Sequence, residues 1–191
     1  MVPSAMIQRE YNLECVNLAT SGQARMDFYI AEAMASIEDA ICYVIDPVPN
    51  CTKDRCDTAT YDFINILRTL RPEVPIVMVE GLMYPYTRHD SFHAEYLPQK
   101  NECFRRGFDQ HVAENPKGMY YMTHEGQTGP DMEGTVDGIH LTDYGFRAYA
   151  DLLEIVVKEA LDDTDVDYDV EPAYNVVRKK TFWERLQDLF Q

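Results

Sequence analysis

No run of ~18 consecutive apolar residues occurs in the sequence, so no segment reads as a membrane-spanning helix. Positive charge is scarce. Against 33 Asp and Glu there are 17 Lys and Arg, a formal net charge of −16, which disfavours a nucleic-acid backbone as partner. The five cysteines, Cys15, Cys42, Cys51, Cys56 and Cys103, include no CxxC pair, which excludes a zinc ribbon and a dithiol redox motif. Cys42 lies in an apolar run as core filler. Cys51 and Cys56 stand close enough to close a loop disulfide in an oxidising compartment, or to remain free thiols in a reducing one. The opening MVPSAMIQREYNL has no basic region followed by an apolar stretch and does not read as a signal peptide, which leaves localisation open.

What is present is a good core-former: hydrophobic residues make up 46% of 191 positions and aromatics 12%. Short apolar runs alternate with longer amphipathic segments, the pattern of a parallel sheet with crossover helices. The runs Leu13 to Ala19, Ile41 to Ile45, Pro75 to Val79 and Met119 to Met122 read as strands. Helices are expected from about Arg25 to Ile37, from Thr58 to Leu70, within Tyr84 to Asn115, and from Thr142 to about Leu161, with Thr142 as N-cap.

Chemistry-bearing residues fall in the loops after these strands, at the sheet edge where open α/β folds bind ligands. In Asp137-Gly138-Ile139-His140, two residues separate a carboxylate from an imidazole just before a helix N-cap. That spacing lets both face one cleft as a general base with its orienting acid, although a lone D-x-x-H also arises by chance. Two further loops hold candidate donors: Gly22 after the first run, and Asn50 beyond the Asp46-Pro47-Val48-Pro49 turn. Read singly, these are an ordinary turn glycine and a capping asparagine.

The segment DGIHLTDYGFRAYA resembles the last block of the SGNH (GDSL-like) hydrolases, in which Asp-x-x-His supplies two triad members. Asn17-Leu18-Ala19-Thr20-Ser21-Gly22 is similar to the family's second block, and Val44-Ile45-Asp46-Pro47-Val48-Pro49-Asn50 to its third. The blocks fall in family order, each after an expected strand, over about residues 1 to 160. The resemblance implies an α/β fold, a flavodoxin-like three-layer α/β/α sandwich around a parallel sheet. It implies hydrolysis of an acyl ester of a small molecule or carbohydrate. In that scheme His140 is the general base, Asp137 orients it, and Gly22 with Asn50 forms the oxyanion hole. No cofactor or metal is implied.

One departure is serious. The family's first block is a strand followed by Gly-Asp-Ser, carrying the nucleophile, and residues 1 to 12 instead resemble the helix after it. Ser4, Ser21, Ser36 and Ser91 do not match the nucleophile position, so the nucleophile is unassigned and the chain is expected to be inactive as an N-terminally incomplete domain. The family strand order 2-1-3-4-5 makes the absent strand interior. Its loss would leave unpaired backbone edges, or let the two flanking strands close up in a non-catalytic relative that only binds ligands. An exposed sheet edge would also favour a homo-oligomer.

The hydrolase-like domain is thus assigned to residues 1–161, an acidic linker to 162–180, and a short amphipathic helix opened by the T-x-x-E capping box at Thr181 to 181–191. Asp163, Asp165 and Asp167 have calcium-loop spacing, but Tyr168 and Tyr174 stand where that loop needs Gly and Glu, so a solvated linker is expected. His89 and His93 have the spacing of a metal-binding helix without an evident third ligand. Tyr84, Tyr86 and Tyr96 are candidates to shape a pocket.

Overall fold

The computed structural model describes residues 2–164. Three short strands, β1 (Tyr43–Ile45), β2 (Ile76–Val79) and β3 (Met119–Met122), form one parallel sheet in the order β1-β2-β3. Tyr43 stands opposite Ile76, and Ile76 opposite Met119. All four residues of β2 are fully buried because helices cover both faces.

The two-residue period of β2 divides the core. Ile76 and Met78 point into a cluster with Phe63, Ile64, Leu67 and Phe104, supplied by α3 (Lys53–Leu70) and α4 (Ser91–Glu114) with α2 (Phe28–Ala35) beside them. Val77 and Val79 point the other way, into Tyr149, Leu153, Val157 and Leu161 of α5 (Asp143–Asp162), which packs with α1 (Pro3–Tyr11). This is the three-layer α/β/α architecture. No described helix is long and apolar enough to cross a membrane.

Local chemistry sets the helix starts. The Thr52 hydroxyl caps α3 by accepting from the Arg55 N–H at 3.1 Å, which starts the helix before the expected Thr58. Asp90 caps α4 in the same way through the His93 N–H at 3.1 Å. The buried Arg68 guanidinium ties the end of α3 to the entries of two strands, donating to Pro72 O (2.7 Å), Val74 O (3.0 Å) and Gly118 O (3.2 Å).

The expected strand at Leu13–Ala19 does not form. A strand is completed by a neighbour's backbone groups, and among the described residues no segment pairs with it or with the outer edge of β1. Val16 and Leu18 are therefore exposed, and Val44 of β1 is 39% exposed. The expected second helix is also shorter, Phe28–Ala35, ending at Ser36, whose hydroxyl turns back onto Ala33 O at 2.7 Å. All five cysteines are free thiols, with Cys51 and Cys56 buried. The linker beyond Thr164 and the helix at 181–191 lie outside the described residues.

Candidate active site

All three strands deliver their carboxyl ends to one edge of the sheet: Asp46 and the turn Val48–Asn50 after β1, Glu80 and Gly81 after β2, and Thr123 to Leu141 after β3. The last of these loops carries Asp137 and His140.

The dyad is built locally. Gly138 has φ +87°, a left-handed conformation that curls the chain between the two residues and that a side chain would strain. The curl brings the Ile139 and His140 N–H groups onto Asp137 Oδ1 at 2.9 and 2.8 Å, and His140 Nδ1 to 2.7 Å from Oδ2. The loop is then clamped to α5. The Thr142 hydroxyl caps α5 by accepting from the Gly145 N–H, and its own N–H donates to Gly134 O at 2.9 Å. Gly134 and Gly145 touch so closely that a Cβ on Gly145 would lie 2.0 Å from Gly134 O.

Electrostatics fix the roles within the pair. The His140 backbone N–H, its ring and the Ile139 N–H hold the Asp137 carboxyl well below the usual carboxylate range. Asp137 is thus ionised at any ordinary pH and faces Nδ1, while the exposed imidazole turns Nε2 away from it.

The other candidate residues sit as follows. Gly22 lies in the exposed turn ahead of α2 at φ +70°, with open space where a Cβ would stand, so its backbone conformation and not crowding calls for glycine. Asn50 ends the Val48–Asn50 turn, where its own N–H donates to Pro47 O at 3.0 Å. Neither the Gly22 N–H nor the Asn50 side-chain amide has a hydrogen-bond partner among the described residues. The structure brings Asp137 and His140 into contact; no hydrogen bond links them to Gly22 or Asn50.

The serines are placed elsewhere. Ser4 lies in the first turn of α1, where Oγ accepts from Asn17 Nδ2 at 3.4 Å, and Ser21 lies in the Gly22 turn. Ser36 ends α2 and Ser91 opens α4. None of them is hydrogen-bonded to His140 among the described residues.

The same edge holds features that local sequence patterns do not disclose. Buried Glu80 accepts from both the N–H (3.0 Å) and Nδ1 (2.7 Å) of His124, while Gln127 donates to Glu80 O and Thr123 O. With Glu125, this pair offers metal-ligand atoms within 4.8 Å of one another. The hydrogen bonds already use Glu80 and Nδ1, so the group reads as a brace joining the ends of β2 and β3. Asp46 accepts from the Tyr149 hydroxyl at 2.7 Å, and desolvation around it pushes its carboxyl up to about 6 against that bond. His89 lies in the turn Pro85–His89 while His93 lies in α4, bonded through Nδ1 to Asp90 at 2.7 Å, so the two do not share a helix face. Tyr84 stacks on Tyr86 at 5.7 Å, and Tyr96 instead takes the Lys53 N–H at 3.1 Å.

Comparison with known proteins gives a consistent picture. The model of the GDSL-like lipase/acylhydrolase family matches residues 1–158. A protein from Bacteroides ovatus described as a GDSL-like lipase superposes with a TM-score of 0.79 at 28% identity, covering 84% of this chain and 47% of its own. The salicylyl-acyltransferase SsfX3 of a tetracycline biosynthetic pathway shares the fold with a TM-score of 0.65 at 14% identity, covering 82% of this chain and 48% of its own. The chain therefore spans about half the length of these structures. No curated protein matches the sequence.

Proposed function

The chain belongs to the GDSL-like lipase/acylhydrolase family, and on that premise we propose that it carries the base and oxyanion elements of an ester hydrolase acting on an acylated small molecule or carbohydrate. The 2.7 Å contact between Asp137 and His140, with Nε2 left exposed, carries this reading.

In the proposed reaction a serine hydroxyl gives its proton to His140 Nε2 as Oγ attacks the ester carbonyl. Asp137 holds the Nδ1–H tautomer and stabilises the imidazolium that forms. The carbonyl oxygen becomes an oxyanion, and the free donors of Gly22 and Asn50 are suited to receive it, one such donor contributing on the order of 3 kcal/mol. His140 then returns the proton to the departing alkoxide. Water enters by the same base, breaks the acyl–serine bond and releases the acid.

The missing participant is the serine, since none of the four in the chain follows a strand. The chain as it stands is therefore expected to leave a chromogenic acetate ester intact. A version carrying a strand–Gly-Asp-Ser segment ahead of residue 1 is expected to hydrolyse it, and to lose ~10⁴-fold or more on His140→Ala. A second reading is a non-catalytic relative that keeps the cleft to bind a ligand. Inactivity of both versions, with the fold intact, would support that reading against the enzyme.

A further inference from the structure

Between Tyr84 and Tyr96 five rings make one continuous run. Tyr84 stacks on Tyr86 with centroids 5.7 Å apart, and Phe92 stacks on Tyr96 at 5.4 Å. His93 joins the two pairs, meeting Tyr86 edgewise at 5.3 Å and Phe92 at 5.1 Å. The run starts at the dyad loop. Gly138 lies between Asp137 and His140, and a Cβ on it would stand 3.5 Å from the Tyr86 Cβ.

Polar anchors hold these rings in place. Asp90 faces His93 Nδ1 at 2.7 Å, the Tyr96 hydroxyl accepts from the Lys53 N–H at 3.1 Å, and the Thr87 hydroxyl donates to Tyr84 O at 2.7 Å. Phe92 is nevertheless 65% exposed, so most of a ring already fixed by its neighbours meets solvent. Nε2 of His93 has no partner among the described residues.

Charge narrows what can cover this face. The carboxylates at its two ends, Asp90 and Asp137, are both held below the usual carboxylate range by the histidine each one faces. With a net charge of −16 on the whole chain, an anionic ligand such as a nucleotide is repelled. An uncharged ligand with a flat apolar face and a polar rim fits. A pyranose is such a ligand, since its C–H face covers an aromatic ring while its hydroxyls find a group such as His93 Nε2.

We propose that Tyr86, Phe92 and His93 form a platform for a neutral pyranose unit, so that the ester served by the dyad is carried on a carbohydrate. As a substrate site the platform rests on the ester-hydrolase reading; as a sugar site it stands on the rings alone.

The test is binding by the chain itself, so hydrolysis does not enter. Amide spectra of the 15N-labelled chain are recorded during titration with cellotetraose, xylotetraose and mannotetraose, and separately with hexanamide, an uncharged acyl chain. Saturable shifts at Tyr86, Phe92 and His93 are expected with at least one of the sugars. Phe92→Ala, at an exposed position, is expected to weaken that binding about fivefold or more, and Phe92→Tyr to retain it. No saturation by any of the three sugars, or equal affinity in Phe92→Ala, would overturn the platform. Saturation by hexanamide alone would assign the face to an acyl chain and overturn it too. Either result leaves the Asp137–His140 reading to its own test.

Discussion

At the scale of single residues, the dyad was legible because every contact that makes it is local. Asp137, Gly138, Ile139 and His140 are neighbours in sequence, and one left-handed glycine closes the turn. Gly138→Ala is expected to lower stability by on the order of 1–2 kcal/mol in urea unfolding, since a Cβ opposes φ +87°. An unchanged midpoint would mean that the loop re-forms without that turn. Asp137→Asn removes the acceptor that fixes the Nδ1–H tautomer. In a serine-bearing version it should reduce ester hydrolysis by ~10⁴-fold with the fold retained. The Glu80–His124 pair was not legible. Its members come from separate elements, Glu80 and His124 being 44 residues apart, and nothing in the intervening sequence announces the contact.

At the scale of elements, capping was the most readable signal. Thr142 was expected to cap the last helix and does, and Met119–Met122 forms the expected strand with the same bounds. The exception is Leu13–Ala19, whose apolar residues describe a strand only if another strand lies alongside. Apolar composition gives the preference, and pairing decides the outcome. Between elements, Asp46 at the end of β1 and Tyr149 in α5 make a pH-dependent joint. Below about pH 4 its carboxyl is neutral both folded and unfolded. As pH rises, the unfolded chain releases the proton first, so stability falls until the folded carboxyl ionises near 6. Asp46→Asn lacks that titration. In urea unfolding from pH 4 to 7, the variant is expected to gain on the unsubstituted chain, the gap opening between about pH 4 and 6. A gap independent of pH would contradict the raised carboxyl of Asp46.

At the scale of the whole molecule, alternating strands and helices disclosed the layered α/β architecture, and the family match over residues 1–158 agrees with it. What composition did not give is how the sheet ends. Among the described residues β1 has an unpaired outer edge, with Val44 exposed beside it. Such an edge is a template for pairing, so concentration-dependent self-association is expected in sedimentation velocity and should weaken in Val44→Lys. A monomer at all concentrations would show that the edge is protected.

The central claim is that His140, oriented by Asp137, awaits a serine. Labelling with a fluorophosphonate followed by intact-mass measurement tests this most directly, because the reagent bonds only to an activated hydroxyl. The chain as it stands should remain unlabelled. The version bearing strand–Gly-Asp-Ser should take one label on the added serine, and His140→Ala should abolish it. A label on Ser4, Ser21, Ser36 or Ser91, or labelling that persists without His140, would contradict the account.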